Sequence, residues 1–307
     1  MTGIPGFEPR MVEAGGVEVF AAIAGSGPPL LLLHGFPQTH LMWREVAPLL
    51  AGEFTVVCMD LPGYGASAGP APAPDHAPHS KRAMAAILAG AMQSLGFRRF
   101  AVAGHDRGGR VAFRLGLDHP GDVAAVAALD VIPTQAAWER ADARLALSFW
   151  PWSLLAQPAP LPEQLLLGAP EAVVDDALAN WGTPAATFGP AIRAAYIEAL
   201  REPATVEAIC EEYRAAAGID RDHDAADRQA GRRLPCPLLV LWSASGGLGS
   251  WYEAEGGPLA IWREWAADVR GEGVAGGHFF PEEDPALVAD RLRTFVARQG
   301  CSSASSS

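Results

Sequence analysis

Gly104-His105-Asp106-Arg107-Gly108-Gly109-Arg110 is the stretch on which the reading of the fold turns. It follows the apolar run 100–103 and precedes the helical pattern 111–117. A strand, a glycine-flanked bend and a helix, in that order, lift one side chain above the carboxyl edge of a sheet, the G-x-Nuc-x-G pattern of a nucleophile elbow. Here the raised residue is Asp106, where esterases carry serine. A carboxylate is already ionised at neutral pH and attacks an sp3 carbon without help from a base. The helix that follows supplies backbone N–H groups and the positive end of its dipole. Read as a plain glycine-rich turn, the same residues would make Asp106 a helix N-cap.

Outward from this bend, the apolar runs 17–22, 30–33, 55–59 and 123–129 alternate with helix-length segments at 42–50 and 81–95. Continuous apolar strands between helices predict an α/β fold with a mostly parallel central sheet covered on both faces. The alternation stops after Asp130. Residues 133–233 carry tryptophans, prolines and helical patterns (190–201, 205–217) but no strand. The strand pattern returns at 238–242, and helices are expected over 259–267 and 285–298. The chain divides into a first core segment (1–132), an inserted helical cap (133–233) and a second core segment (234–300). The serine-rich tail 301–307 is expected to be disordered.

The 307 residues are 50% hydrophobic and 19% charged, enough for a large buried core. Against 23 Lys and Arg stand 35 Asp and Glu, a net charge of −12. Such a surface repels nucleic acid and anionic membranes, so neither is expected as a partner. An anionic substrate must then be met by a local positive site. Cys58, Cys210, Cys236 and Cys301 lack metal-ligand spacing, and neither metal nor cofactor is expected. The first residues show no basic segment followed by an apolar run, and no stretch nears the ~20 apolar residues of a membrane helix. A cytoplasmic protein is the expectation.

Partners for Asp106 lie at two further strand ends. Asp130 closes the run 123–129, and His278 sits in Gly276-Gly277-His278-Phe279 after the last strand region. Groups at the carboxyl ends of parallel strands converge on one crevice. The order Asp106, Asp130, His278 fits a hydrolase triad of nucleophile, orienting acid and base. Arg107 and Arg110, three apart at a helix start, can face one side and hold a carboxylate. The backbone N–H groups of Phe36 and Arg107 are candidate oxyanion donors. His34 and His105 are expected to hydrogen-bond locally. The mixed-sign segment from Arg221 to Arg228 reads as solvated rather than as a metal site.

These residues resemble the α/β-hydrolases with an aspartate nucleophile, and among them the haloacetate (fluoroacetate) dehalogenases. The resemblance spans nearly the whole chain. It rests on the elbow, on His34-Gly35-Phe36-Pro37-Gln38-Thr39-His40, on Asp60-Leu61-Pro62-Gly63-Tyr64-Gly65-Ala66-Ser67, and on cap stretches at 152–163 and 210–214. It implies that Arg107 and Arg110 bind a substrate carboxylate, that Trp152 and Tyr213 bind halide, and that Trp181 walls the pocket. Pro151, also a wall residue, stands where the family has a halide-binding histidine. The resemblance further implies hydrolysis of a 2-haloacetate to glycolate and halide through an aspartyl ester, without cofactor, in a homodimer. With the donor at Pro151 missing, fluoride release is expected to be weakened relative to chloride or bromide. An epoxide hydrolase, drawing on Tyr213 and Tyr196 as ring-opening acids, is the alternative. Such enzymes usually carry Trp directly after the nucleophile, where this chain has Arg107. A carboxylate-binding protein without turnover is a further alternative.

Overall fold

Leu30 to Leu33 and all six residues of the strand before the bend are buried, as strands covered on both faces must be. The computed structural model describes residues 3–302 and joins such runs into one sheet. Its strands are β1 (Glu8–Ala14), β2 (Val17–Ala24), β3 (Pro29–Leu33), β4 (Thr55–Met59), β5 (Phe100–His105), β6 (Val123–Leu129), β7 (Leu238–Ser243) and β8 (Val269–Val274). The spatial order is β1-β2-β4-β3-β5-β6-β7-β8. β2 runs antiparallel to β1 and β4, and every other pairing is parallel. This is the expected α/β-hydrolase fold.

The two edge strands are the ones the apolar pattern did not name. β1 leaves five of its seven residues exposed, and β8 buries only Val274 fully. An edge strand has less core to face, so its sequence need not be apolar. The expected helix over 42–50 is two pieces, a 3-10 turn His40–Trp43 and a helix Val46–Leu50. Thr39 caps the first piece, its hydroxyl accepting from the Leu41 N–H at 3.3 Å.

Between β6 and β7 the chain forms eight α-helices, from Thr134–Glu139 to Ile219–Gln229, the inserted helical region. Its last helix corrects one expectation. The segment from Arg221 to Arg228 is not simply solvated, because Asp220, Asp224 and Asp227 are buried against the core. Arg114, on the helix Arg107–Asp118, pairs with both Asp224 and Asp227. The acids line one face of the helix at three- and four-residue spacing, and that face is the one that docks. The final helix, Pro285–Ser302, runs two residues into the expected tail, and residues 303–307 lie outside those described. No helix among the described residues is long and apolar enough to cross a membrane.

Candidate active site

β5 ends at His105, and the chain turns at once into the helix Arg107–Asp118. Asp106 makes that turn at φ +48°, a conformation costing about 1–3 kcal/mol outside glycine. Close approaches hold it there. A Cβ on Gly108 would collide with the His34 carbonyl, and one on Gly35 would lie 2.5 Å from the Asp106 Cβ. Gly35 therefore lets the β3 loop close over the nucleophile. The Phe36 N–H donates to Asp106 Oδ2 at 3.1 Å, which leaves Oδ1 free of protein hydrogen bonds among the described residues. Burial pushes the Asp106 carboxyl up, but His278, Arg107, His105 and Arg110 outweigh it and hold the group below the ordinary range.

Asp130 ends β6, also at positive φ (+51°). Its Oδ1 accepts from the Ser243 N–H at the end of β7 (2.8 Å), and its Oδ2 accepts from His278 Nδ1 at 2.6 Å. A carboxylate oxygen accepts, so His278 Nδ1 donates to Asp130, and whenever the ring is neutral its lone pair is on Nε2. The backbone of His278 is fixed as well: its N–H donates to the Trp181 carbonyl (2.8 Å), and its carbonyl accepts from His105 Nε2 (2.7 Å). Burial, followed by the repulsion of His278, pushes His105 down to about 3, so it stays neutral and structural. His34 also bonds locally, donating to the Gly35 carbonyl (3.0 Å) and accepting from the Leu61 N–H (3.0 Å).

The arginines differ. Arg107 is fully buried, and its Nε and Nη2 donate to Glu212 on the helix Pro203–Ala217 at 2.7–2.9 Å. Its guanidinium lies 4.0 Å from the Tyr213 ring centre. Arg110 has no acidic partner among the described residues; its Nη1 donates to the Ile132 carbonyl, and its guanidinium sits 4.5 Å from the Trp152 ring centre. Burial and the charge of Arg107 lower it only to about 10, so it remains a cation at neutral pH. Arg107 Nη1 and Arg110 Nε are buried without partners. Orphaned buried donors of this kind call for an acceptor.

A cavity of about 30 Å³ opens beside Asp106, Arg110, Asp130, Trp152 and His278. That is far below the roughly 300–1,000 Å³ of drug-sized sites. Of the halide candidates, Trp152 lines this cavity. Tyr213 stacks behind Arg107, and burial raises its hydroxyl pKa. Neither the Trp152 indole N–H nor the Tyr213 hydroxyl has a hydrogen bond among the described residues. Trp181 stands edge-on to His278 at 5.3 Å and gives its indole N–H to the Ser148 carbonyl (2.9 Å). Pro151 is buried at the first position of the short helix Pro151–Leu154. Tyr196 is not at the cavity: fully buried, it donates to Glu282 at 2.9 Å. Sequence reasoning missed Phe149, Trp251 and Tyr252, which also line the cavity. Trp251 and Tyr252 lie in a glycine-rich stretch after β7 that carries no periodic signal. A larger groove, about 660 Å³, lies at the opposite, amino-terminal edge of the sheet, among Pro28, Phe54, Arg99, Pro237 and Val296. It contains none of the triad, so the smaller cavity is the site.

Residues 28–166 match the family described as the alpha/beta hydrolase fold. The chain is 44% identical over 298 residues to a fluoroacetate dehalogenase of Burkholderia sp., covering 96% of each chain. It is 31% identical over 295 residues to a soluble epoxide hydrolase of Corynebacterium sp. (strain C12), covering 92% of this chain and 94% of that one. Among solved structures, ALR0039 from Nostoc sp. PCC 7120 superposes with a TM-score of 0.90 at 44% identity, over 94% of this chain and 98% of that chain.

Proposed function

The chain belongs to the α/β-hydrolase family, in the group holding fluoroacetate dehalogenases and epoxide hydrolases, and on that footing we propose that it is a haloacetate dehalogenase. One observation supports the reading: Asp106, one of whose oxygens has no protein hydrogen bond, lines a very small cavity together with Arg110, a guanidinium with no acidic partner among the described residues. A short acid suits that charge and volume, and a bulky neutral substrate does not.

The substrate carboxylate takes the orphaned N–H groups of Arg107 and Arg110. This aims C2 at Asp106 Oδ1. As the C–O bond forms, the carbon–halogen bond breaks, and the halide departs with its electron pair toward Trp152 Nε1 and the Tyr213 hydroxyl. The product of this step is a carboxymethyl ester on Asp106. His278 Nε2 then takes a proton from water, whose oxygen adds to Asp106 Cγ. Charge gathers on Oδ2, where the Phe36 N–H already donates, with the Arg107 N–H as second donor. Collapse expels glycolate oxygen, which recovers the proton from His278. Epoxide opening has less support, because Tyr196, the second tyrosine it would draw on, is committed to Glu282.

The test is halide release from fluoro-, chloro- and bromoacetate, with a single turnover in heavy-oxygen water. Glycolate and halide should form, and the heavy oxygen should appear in the peptide containing Asp106. Label found only in glycolate would exclude the ester route. Turnover of epoxides without haloacetate turnover would transfer the assignment to the alternative.

A further inference from the structure

Glu212 belongs to no part of the mechanism above, yet it sits at the centre of a buried charge cluster. Its side chain has no solvent exposure, and Arg107 Nε and Nη2 both donate to it. Lys81 Nζ from the core helix Lys81–Ser94 bonds its Oε1, and the Tyr64 hydroxyl donates to its Oε2 at 3.3 Å. Asp220 adds a second acid, 3.4 Å from Lys81 Nζ and accepting the Lys81 N–H at 2.8 Å. Tyr213 covers one face of the Arg107 guanidinium, and Glu212 takes its Nε edge. Only Nη1 remains unpartnered.

We propose that Glu212 is a positioning residue that determines specificity: it occupies the donor fork of Arg107 so that a substrate carboxylate meets one N–H there, and it cancels that charge so that recognition of an acid falls on Arg110. A freed Arg107 would offer its own fork as a bidentate carboxylate site and draw the acid away from the line of attack of Asp106. Without Glu212, binding of a carboxylate tightens while reaction slows, the pattern of a ligand held well in the wrong place.

The kinetic arm rests on the haloacetate reading; the binding arm does not. Acetate, which carries no leaving group, is titrated by tryptophan fluorescence, since Trp152 lies 4.5–5.2 Å from both guanidiniums. In Glu212→Gln, acetate is expected to bind about tenfold tighter, and kcat for chloroacetate to fall about tenfold or more with a lower KM. Glu212→Asp, which keeps the charge, should stay within about threefold of the parent in both. Acetate affinity unchanged or weakened in Glu212→Gln overturns the proposal, whatever happens to kcat, because a merely structural glutamate would lower activity without tightening the ligand. If Glu212→Gln does not fold, Tyr64→Phe removes one bond to the same carboxylate, and acetate should bind about twofold tighter; no tightening overturns the proposal equally. If the parent turns over no haloacetate while the acetate shift appears, the substrate assignment fails and the positioning role stands.

Discussion

Asp106 and Asp130 are the two candidate triad members at positive φ, and both are held by backbone donors, Phe36 from the loop after β3 and Ser243 from the end of β7. Strain at the end of a strand thus coincides with the groups that must not move. On the haloacetate reading, the leaving-group side has one donor fewer than the resemblance implies, because Pro151 has none to give. Pro151 begins the helix Pro151–Leu154, a position where proline is at ease and where another residue costs little. Pro151→His should therefore fold normally and add one donor to the departing halide. A bond to a charged group is worth about 1.5–3 kcal/mol, so fluoride release should rise about 10- to 100-fold, measured with a fluoride electrode. Chloride release should rise much less, since chloride leaves as a weaker base; equal gains for both would refute the argument. Asp106, Asp130 and the arginine pair could be singled out in the sequence because spacing marks a strand end or a helix start. His278, after an edge strand with no apolar run, stood out only through its glycine loop and the chain order of the three residues. Glu212 did not stand out. Adjacent acids Glu211 and Glu212 on a helix look like a solvated face, and only docking buries them both, Glu212 against Arg107 and Lys81 and Glu211 against His76 and Arg214.

The helices Lys81–Ser94, Pro203–Ala217 and Ile219–Gln229 meet along one buried polar seam, through Lys81, Glu212 and Asp220. Burial first, and then the charge of Arg107, push the Lys81 ammonium from 10.5 down to about 7. Between those two values the unfolded chain keeps the proton and the folded chain releases it. The native state is therefore favoured as pH rises through that window, and loses this contribution as pH falls toward about 7. Melting temperatures of the parent should climb relative to those of Lys81→Met across the window; parallel curves would show that Lys81 does not titrate there. Legibility at this scale followed burial. β4 and β6 were visible to the residue because both their faces are covered and the run is continuously apolar. β1, with five of seven residues exposed, and β8, with only Val274 buried, offered no such run. The docking face of Ile219–Gln229 was missed because ion pairs rather than apolar contacts secure it.

Across the whole molecule, the net charge of −12 opposes the approach of an anion, while the local cation Arg110 attracts it only at short range. Salt screens the long-range repulsion more than the contact inside the cavity. Raising ionic strength from about 10 to about 150 mM should therefore increase kcat/KM for chloroacetate about two- to fivefold, while the neutral chloroacetamide stays flat. A fall for the acid would mean that local attraction extends beyond the cavity mouth. The fold class, the mostly parallel sheet and the inserted helices could all be read from the alternation of runs. The closeness of the cavity walls could not, because Trp251 and Tyr252 reach it from a connection after β7 while Trp152 comes from the insertion. The triad is spread along the chain in the same way, with His278 following β8 and everything else preceding it. On the ribosome, the nucleophile and both guanidiniums emerge long before the histidine that frees them. On the proposed mechanism, a haloacid met before the chain's last connection is in place would alkylate Asp106 with no means of release, so the end of the polypeptide would be what turns a one-shot scavenger into a catalyst.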